Sequence, residues 1–184
     1  MKTVELPQYI ENNPVFQSII GRTSVRRYTD QPISDELKQA LLRAGMSAPS
    51  GVNQQPWEFI VVDDKEVLKH LADALPYAKM AAHAPMAIVV CGNADRFLEG
   101  DDSTLWVQDV SAASENILIA AHAFGLGGVW TCLYPHHDRM DAARRILKMN
   151  DVIVPFNLIP IGYPDKSHAP MDKWCTERVH HNIY

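Results

Sequence analysis

The chain has 184 residues, 47% hydrophobic and 21% charged. These are the proportions of an ordinary soluble globular protein, and they exclude collagen-like, low-complexity and disordered chains. Seventeen Lys and Arg against 22 Asp and Glu leave a net charge of −5, without the basic footprint of a general nucleic-acid binder.

Pro14 in a first helical position, with Gly21 near the end, predicts a short helix over 14–20. Ser34 reads as the N-cap of a helix over 35–46, with Leu37, Leu41, Leu42 and Met46 on one face. Residues 48–56, Ala-Pro-Ser-Gly-Val-Asn-Gln-Gln-Pro, are turn formers and predict a loop. The run 57–62 is rich in strand formers and predicts a buried strand. Asp63 or Asp64 then caps a helix to about Leu75, and 77–83 adds another helical piece. A second buried strand is expected over 85–91. The long helix over 104–124 has Asp101, Asp102 and Ser103 at its positive end and Gly125 at its stop. A third strand over 128–133, a helix over 136–147 and a fourth strand over 151–161 follow, the last broken by Pro155 and Pro160. The tail 162–184 has no periodicity and is expected to lie over another surface, of its own chain or of a second subunit.

This interleaving predicts a sheet covered by helices, α+β or α/β. Small residues at 111–114 and 120–123 make the long helix a central element, either in a core or in a subunit interface. No stretch approaches about 18 uninterrupted apolar residues, so no membrane span is expected. Met1 to Pro7 has no apolar run after Lys2 and is not read as a secretory signal. Cys91, Cys132 and Cys175 form neither a Cys-x-x-Cys pair nor a disulfide framework, so a reduced, cytoplasmic protein is expected. The histidine pairs 136–137 and 180–181 would point apart on a helix, and no metal site is expected.

Three segments carry candidate chemistry. Arg22, Ser24, Arg26 and Arg27 crowd fixed positive charge and a hydroxyl into six residues, the donors that a phosphate needs; a solvated basic turn is the alternative. The loop 48–57 combines backbone donors with small side chains that let a flat ligand approach. Residues 125–135 lead glycines into a strand with Trp130, without the spacing of a dinucleotide fingerprint. Cys132 reads as a packing residue, and Trp106 as either a core residue or a wall of the pocket.

In this order Arg22-Thr-Ser-Val-Arg26, the loop 48–57, Gly-Leu-Gly-Gly-Val-Trp-Thr at 125–131 and Ile-Gly-Tyr-Pro at 161–164 resemble the FMN-dependent nitroreductase family in its short single-domain form. The likeness runs from about residue 14 to the C-terminus. It implies an α+β three-layer sandwich, with a mostly antiparallel central sheet flanked by helices and the long helix at a dimer interface. The whole chain, 1–184, would be one FMN-binding domain whose tail, about 163–184, wraps the partner. Arg22, Thr23 and Ser24 would hold the FMN phosphate and ribityl chain, with added charge from Lys173. Arg26 would reach the ring near N1 and O2. Pro49, Ser50, Gly51 and Asn53 would come from the partner subunit, and Trp130, Thr131 and Cys132 would run past the ring. The resemblance leaves the backbone donor to N5 open between Tyr134 and residues 131–132.

The activity so implied is electron transfer from NADH or NADPH through FMN to a small flat acceptor, a nitroaromatic or quinone, by a ping-pong route. No side chain acts as nucleophile or acid, because the cofactor carries the hard step. Arg26 would tune the ring electrostatically; a fixed contact at about 4 Å and an effective dielectric near 20 is worth roughly 4 kcal/mol before desolvation. The alternative from another class is a flavin-binding carrier, sensor or storage protein with little NAD(P)H turnover. Neither nucleic acid nor membrane is an expected partner.

Overall fold

The computed structural model describes residues 6–184, so the reading of Met1 to Glu5 lies outside the described residues. Local chemistry sets most element starts. A short helix α1 (Gln8–Glu11) precedes α2 (Pro14–Gly21), where Asn13 Oδ1 accepts from the Val15 and Phe16 amides at 3.0 and 3.1 Å. Ser34 Oγ accepts from Leu37 N at 3.3 Å to open α3 (Asp35–Met46). Strand β1 (Trp57–Val62) follows, then α4 (Lys65–Ala74), whose cap Asp64 accepts from the Glu66 and Val67 amides. Strand β2 (Met86–Asn93), helix α5 (Leu105–Ala123), the two-residue strands β3 (Gly127–Gly128) and β4 (Thr131–Cys132), helix α6 (His137–Leu147) and β5 (Ile153–Gly162) complete the order. The helical piece expected over 77–83 is a 3-10 turn, Lys79–His83.

The sheet is wholly antiparallel, in the order β1-β2-β5-β3, with β4 also on β5. Helices α3 and α5 cover one face around Ile88, Val90, Ile117 and Ile159. Helices α4 and α6 cover the other around Leu68, Leu71, Val89 and Leu158. Strand β2 is buried along both faces from Met86 to Gly92, as a strand between two helical layers must be. The three-layer α+β sandwich expected from the resemblance is the fold observed.

Helix α1 has no counterpart in the sequence reading, and two strands also differ from it. The strand expected over 128–133 is split, because Val129 and Trp130 leave the ladder between Gly128↔Ile161 and Thr131↔Leu158. The Trp130 ring turns instead onto Phe156, with centroids 5.4 Å apart. Strand β5, expected to break at its prolines, is continuous. Pro160 lies opposite that split, where its missing N–H removes no bond, and Pro155 sits at a bulge opposite Cys91.

Trp106 is a core residue. Its ring stacks on Phe97 at 4.6 Å and meets Tyr134 and Phe156 edge-on at 4.9 and 5.9 Å. Cys91 is fully buried, and burial, helped by the charge of Glu58, pushes its thiol up to about 12, so it stays protonated.

Candidate functional site

The segment after α2 lies along the open edge of the sheet. Ser24 forms a parallel bridge with Gly128, and Val25 N donates to the Gly128 carbonyl at 3.0 Å. A Cβ on Gly127 would stand 2.4 Å from Val25 Cγ2, so the approach requires glycine there. Tyr28 closes the segment: its hydroxyl donates toward the carbonyls of Val25 and Pro160 at 2.7 and 3.0 Å. Burial, opposed weakly by the Arg26 charge, holds that hydroxyl above the ordinary tyrosine range, so it stays a donor.

Two clefts flank this strip. One, of about 400 Å³, is lined by Arg22, Thr23, Val25, the glycine run 125–128, Leu118 and His122 of α5, and Lys166, Ser167 and His168 of the tail. Arg22 Nε is 3.1 Å from Glu115 Oε1, an ion pair whose angle makes no hydrogen bond. His168 Nδ1 is buried in the wall without a partner. The other, of about 470 Å³, is lined by Arg26, Trp130, Thr131, Cys132, Tyr77, Lys79, Met80 and Arg139, with Pro76 and Val129. Arg26 is exposed and, among the described residues, donates only to Ser24 O, at 3.5 Å.

The fold therefore brings together Arg22, Thr23, Ser24, Arg26, Trp130, Thr131 and Cys132 on one edge. It does not bring Pro49, Ser50, Gly51 or Asn53 there. Gly51 N donates to Asp109 Oδ1 at 3.0 Å, near the start of α5, whereas Arg22 pairs with Glu115 and its cleft reaches His122. At 1.5 Å of rise per residue, Asp109 and His122 stand roughly 20 Å apart along the axis. Lys173 is exposed on the tail and lines neither cleft; Lys166 is the tail cation that does.

Lys79, Arg139, Lys166, His122 and His168 had no signal in the sequence reading, because each stands alone in its segment. Among the described residues, no group of three or more His, Cys, Asp or Glu side chains could hold a metal ion, and no helix is long and apolar enough to cross a membrane.

The model of the nitroreductase family matches residues 19–76 and 74–163. A protein of Methanothermobacter thermautotrophicus provisionally named NADH dehydrogenase/NAD(P)H nitroreductase is 40% identical over 178 residues, covering 97% of this chain and 92% of its own. A solved structure with the same provisional name from Bacteroides thetaiotaomicron is 44% identical, with a TM-score of 0.88 over 94% of this chain and all but 1% of that one (99%). A Desulfovibrio desulfuricans protein, provisionally a nitroreductase and solved in complex with FMN, is 30% identical with a TM-score of 0.79, covering 94% and 99% of the two chains.

Proposed function

The chain belongs to the nitroreductase family as an FMN-dependent NAD(P)H oxidoreductase, and from that premise we propose that a homodimer carries electrons from NADH or NADPH to a small flat acceptor by a ping-pong route. The observation that carries this reading is the edge strip itself: Arg22 and Thr23 line one cleft together with Lys166, and Arg26, four residues on from Arg22, lines the other together with Trp130 and Tyr77.

The residues present fit FMN. Arg22 and Lys166 offer charge, Thr23 a hydroxyl and His168 an unpartnered buried nitrogen to a phosphate. Ser24, exposed between the two clefts, would meet the ribityl chain. Arg26 and Lys79 line the second cleft without a carboxylate among its walls, and Trp130, Thr131 and Cys132 give it a flat side. When bound, FMN supplies hydride acceptance at N5 and returns two electrons to the acceptor. Arg26 would then hold positive charge beside the ring's N1 and O2 edge, favouring the reduced, anionic form. Lys173 would reach the phosphate only if the tail closes over the cleft.

The dimer is proposed from what one chain leaves unfinished. Pro49, Ser50, Gly51 and Asn53 stand away from the clefts of their own chain, where a partner's flavin would meet them. Val15, Ile19 and Ile20 of α2 are 64%, 50% and 46% exposed, an apolar face that a partner would cover. The tail 163–184, with Met171 and Trp174 exposed, would wrap that partner. On this reading 1–184 is one flavin-binding domain, working in the cytoplasm.

The test is an absorbance spectrum of the purified protein, followed anaerobically by NADH and then NADPH. Flavin bands that bleach within seconds are expected, and the faster donor names the nicotinamide used. Bands that persist would favour a carrier or sensor; no bands after soaking with FMN would overturn the cofactor. Mixing Arg22→Ala chains with Asn53→Ala chains tests the dimer: one flavin per mixed dimer is expected, because one site is then wholly intact.

A further inference from the structure

Arg26, Lys79 and Arg139 converge on the second cleft, and among the described residues no Asp or Glu lines it. In a chain of net charge −5, that is a local reversal of sign. None of the three pairs with a carboxylate among the described residues. Arg26 donates to Ser24 O, Lys79 to Asp73 O at 3.3 Å, and Arg139 Nη1 to Cys132 O at 3.2 Å. Each spends a donor on a backbone carbonyl and keeps its charge uncompensated.

Arg139 is the most constrained of them. Its guanidinium lies over the Tyr77 ring at 5.1 Å, and its Nε is buried without a partner. Held between a ring and a carbonyl, the fork has lost most of its rotamer freedom before any ligand arrives, so a bound carboxylate would cost little further ordering. Its place at the start of α6 sets it apart from the strip that carries Arg22 and Arg26. A reduced flavin ring would carry about one negative charge, and Arg26 alone would meet it, so Arg139 is not needed for that role.

We infer that Arg139 is a specificity-determining residue that selects flat acceptors carrying a carboxylate. This rests on the flavin reading above. For a nitrobenzoate the reaction is ArNO2 + NAD(P)H + H+ → ArNO + NAD(P)+ + H2O: two electrons and a proton arrive as hydride, a solvent proton joins them, and one nitro oxygen leaves as water. The carboxylate takes no part in the redox step and serves only to dock the ring.

The test compares 4-nitrobenzoate with its methyl ester, a neutral acceptor of similar shape, on the flavin-loaded protein. Wild type should show a higher kcat/KM for the acid, carried by KM. Arg139→Gln should lower that preference on the order of ten- to a hundredfold, the value of a charged hydrogen bond, and Arg139→Lys should keep part of it. Calorimetric titration with benzoate, which cannot be reduced, should lose binding in parallel. Equal kcat/KM for acid and ester in wild type would overturn the inference. So would an Arg139→Gln effect confined to the rate of flavin reduction by NADPH relative to NADH, which would assign the cation to the donor's phosphates. A protein that takes up no FMN would instead defeat the earlier reading, and wild-type benzoate binding lost in Arg139→Gln would still read Arg139 directly.

Discussion

Residues 22–28 lie along the sheet edge in ordinary backbone, whereas the loop that begins at Pro49 holds Val52, Asn53 and Gln55 at φ of 50°, 57° and 49°. The first segment is fixed by burial and strand bonding: Val25 fills the space over Gly127, and Tyr28 reaches two carbonyls. The second is fixed against its own preference. A β-branched residue in the left-handed region costs about 1–2 kcal/mol, and Val52 recovers none of it by packing, being 81% exposed. The loop persists because Asp109 accepts from Gly51 N, Ser50 Oγ accepts from Gln55 N at 2.9 Å and Arg96 donates to Gln55 O at 3.4 Å. On the dimer proposed above, this strained loop is the part of the site that a partner's flavin would meet, and the edge strip is the part that each chain holds by itself.

The comparison can be broken first at the strip. Gly127→Ala places a methyl against Val25 and should cost about 1–3 kcal/mol of stability through overpacking, read by urea unfolding, with flavin lost on gel filtration as the strip lifts. Retained stability would mean that the strip is held less tightly than the 2.4 Å approach requires. Next comes the loop's anchor. Asp109→Ala leaves the Gly51 amide without its acceptor and should cost about 1–2 kcal/mol, while Asp109→Asn, which keeps an acceptor oxygen, should recover most of it.

A gain is expected at Val52. Val52→Gly removes about 1–2 kcal/mol of left-handed strain and adds about 0.5–1 kcal/mol of chain entropy cost. The net is a stabilisation near 0.5–1 kcal/mol, a Tm rise of roughly 2 °C for a chain of this size. An unchanged or lower Tm would show that the loop's conformation is not strained. The smallest effect belongs to the ion pair between α3 and the end of β1, Lys38 Nζ to Asp63 Oδ2 at 2.8 Å. The hydrogen bond to Lys38 holds the Asp63 carboxyl below its usual range, and bonds to Asp63 and Asp35 hold Lys38 above its own. A depressed carboxylate stabilises the fold above its unfolded pKa and loses that contribution as pH falls through the folded one. Lys38→Met should therefore cost about 0.2–1 kcal/mol at pH 7 and nothing well below pH 3.9, where Asp63 is protonated in both states.

The elements read correctly from the sequence were those decided within one segment. Helix α3 begins at Asp35 and ends at Met46 as its cap and apolar face require, and β1 spans 57–62 as its strand formers require. The misread elements depended on a neighbour. Pro155 and Pro160 break a strand only if their missing N–H groups are needed, and a bulge and the gap between β3 and β4 make them unnecessary. In the site, Arg22 to Arg26 were legible because their charges are adjacent in sequence. Arg139 and Lys79 were not, since they come from separate helical segments on the α4–α6 side and meet Arg26 only across the cleft.

The sequence by itself determined helices α2 to α6, strands β1 and β2, the cationic strip, the polar loop and the family they resemble, because caps, periodicity and motif spacing are local properties of the chain. Tertiary structure alone decided that the strip and the loop stand at different places along α5, and that Trp106 belongs to the core. It also decided that three unpaired cations share one cleft. Each of these depends on which distant segments the antiparallel sheet and its two helical layers bring within a few ångströms of one another.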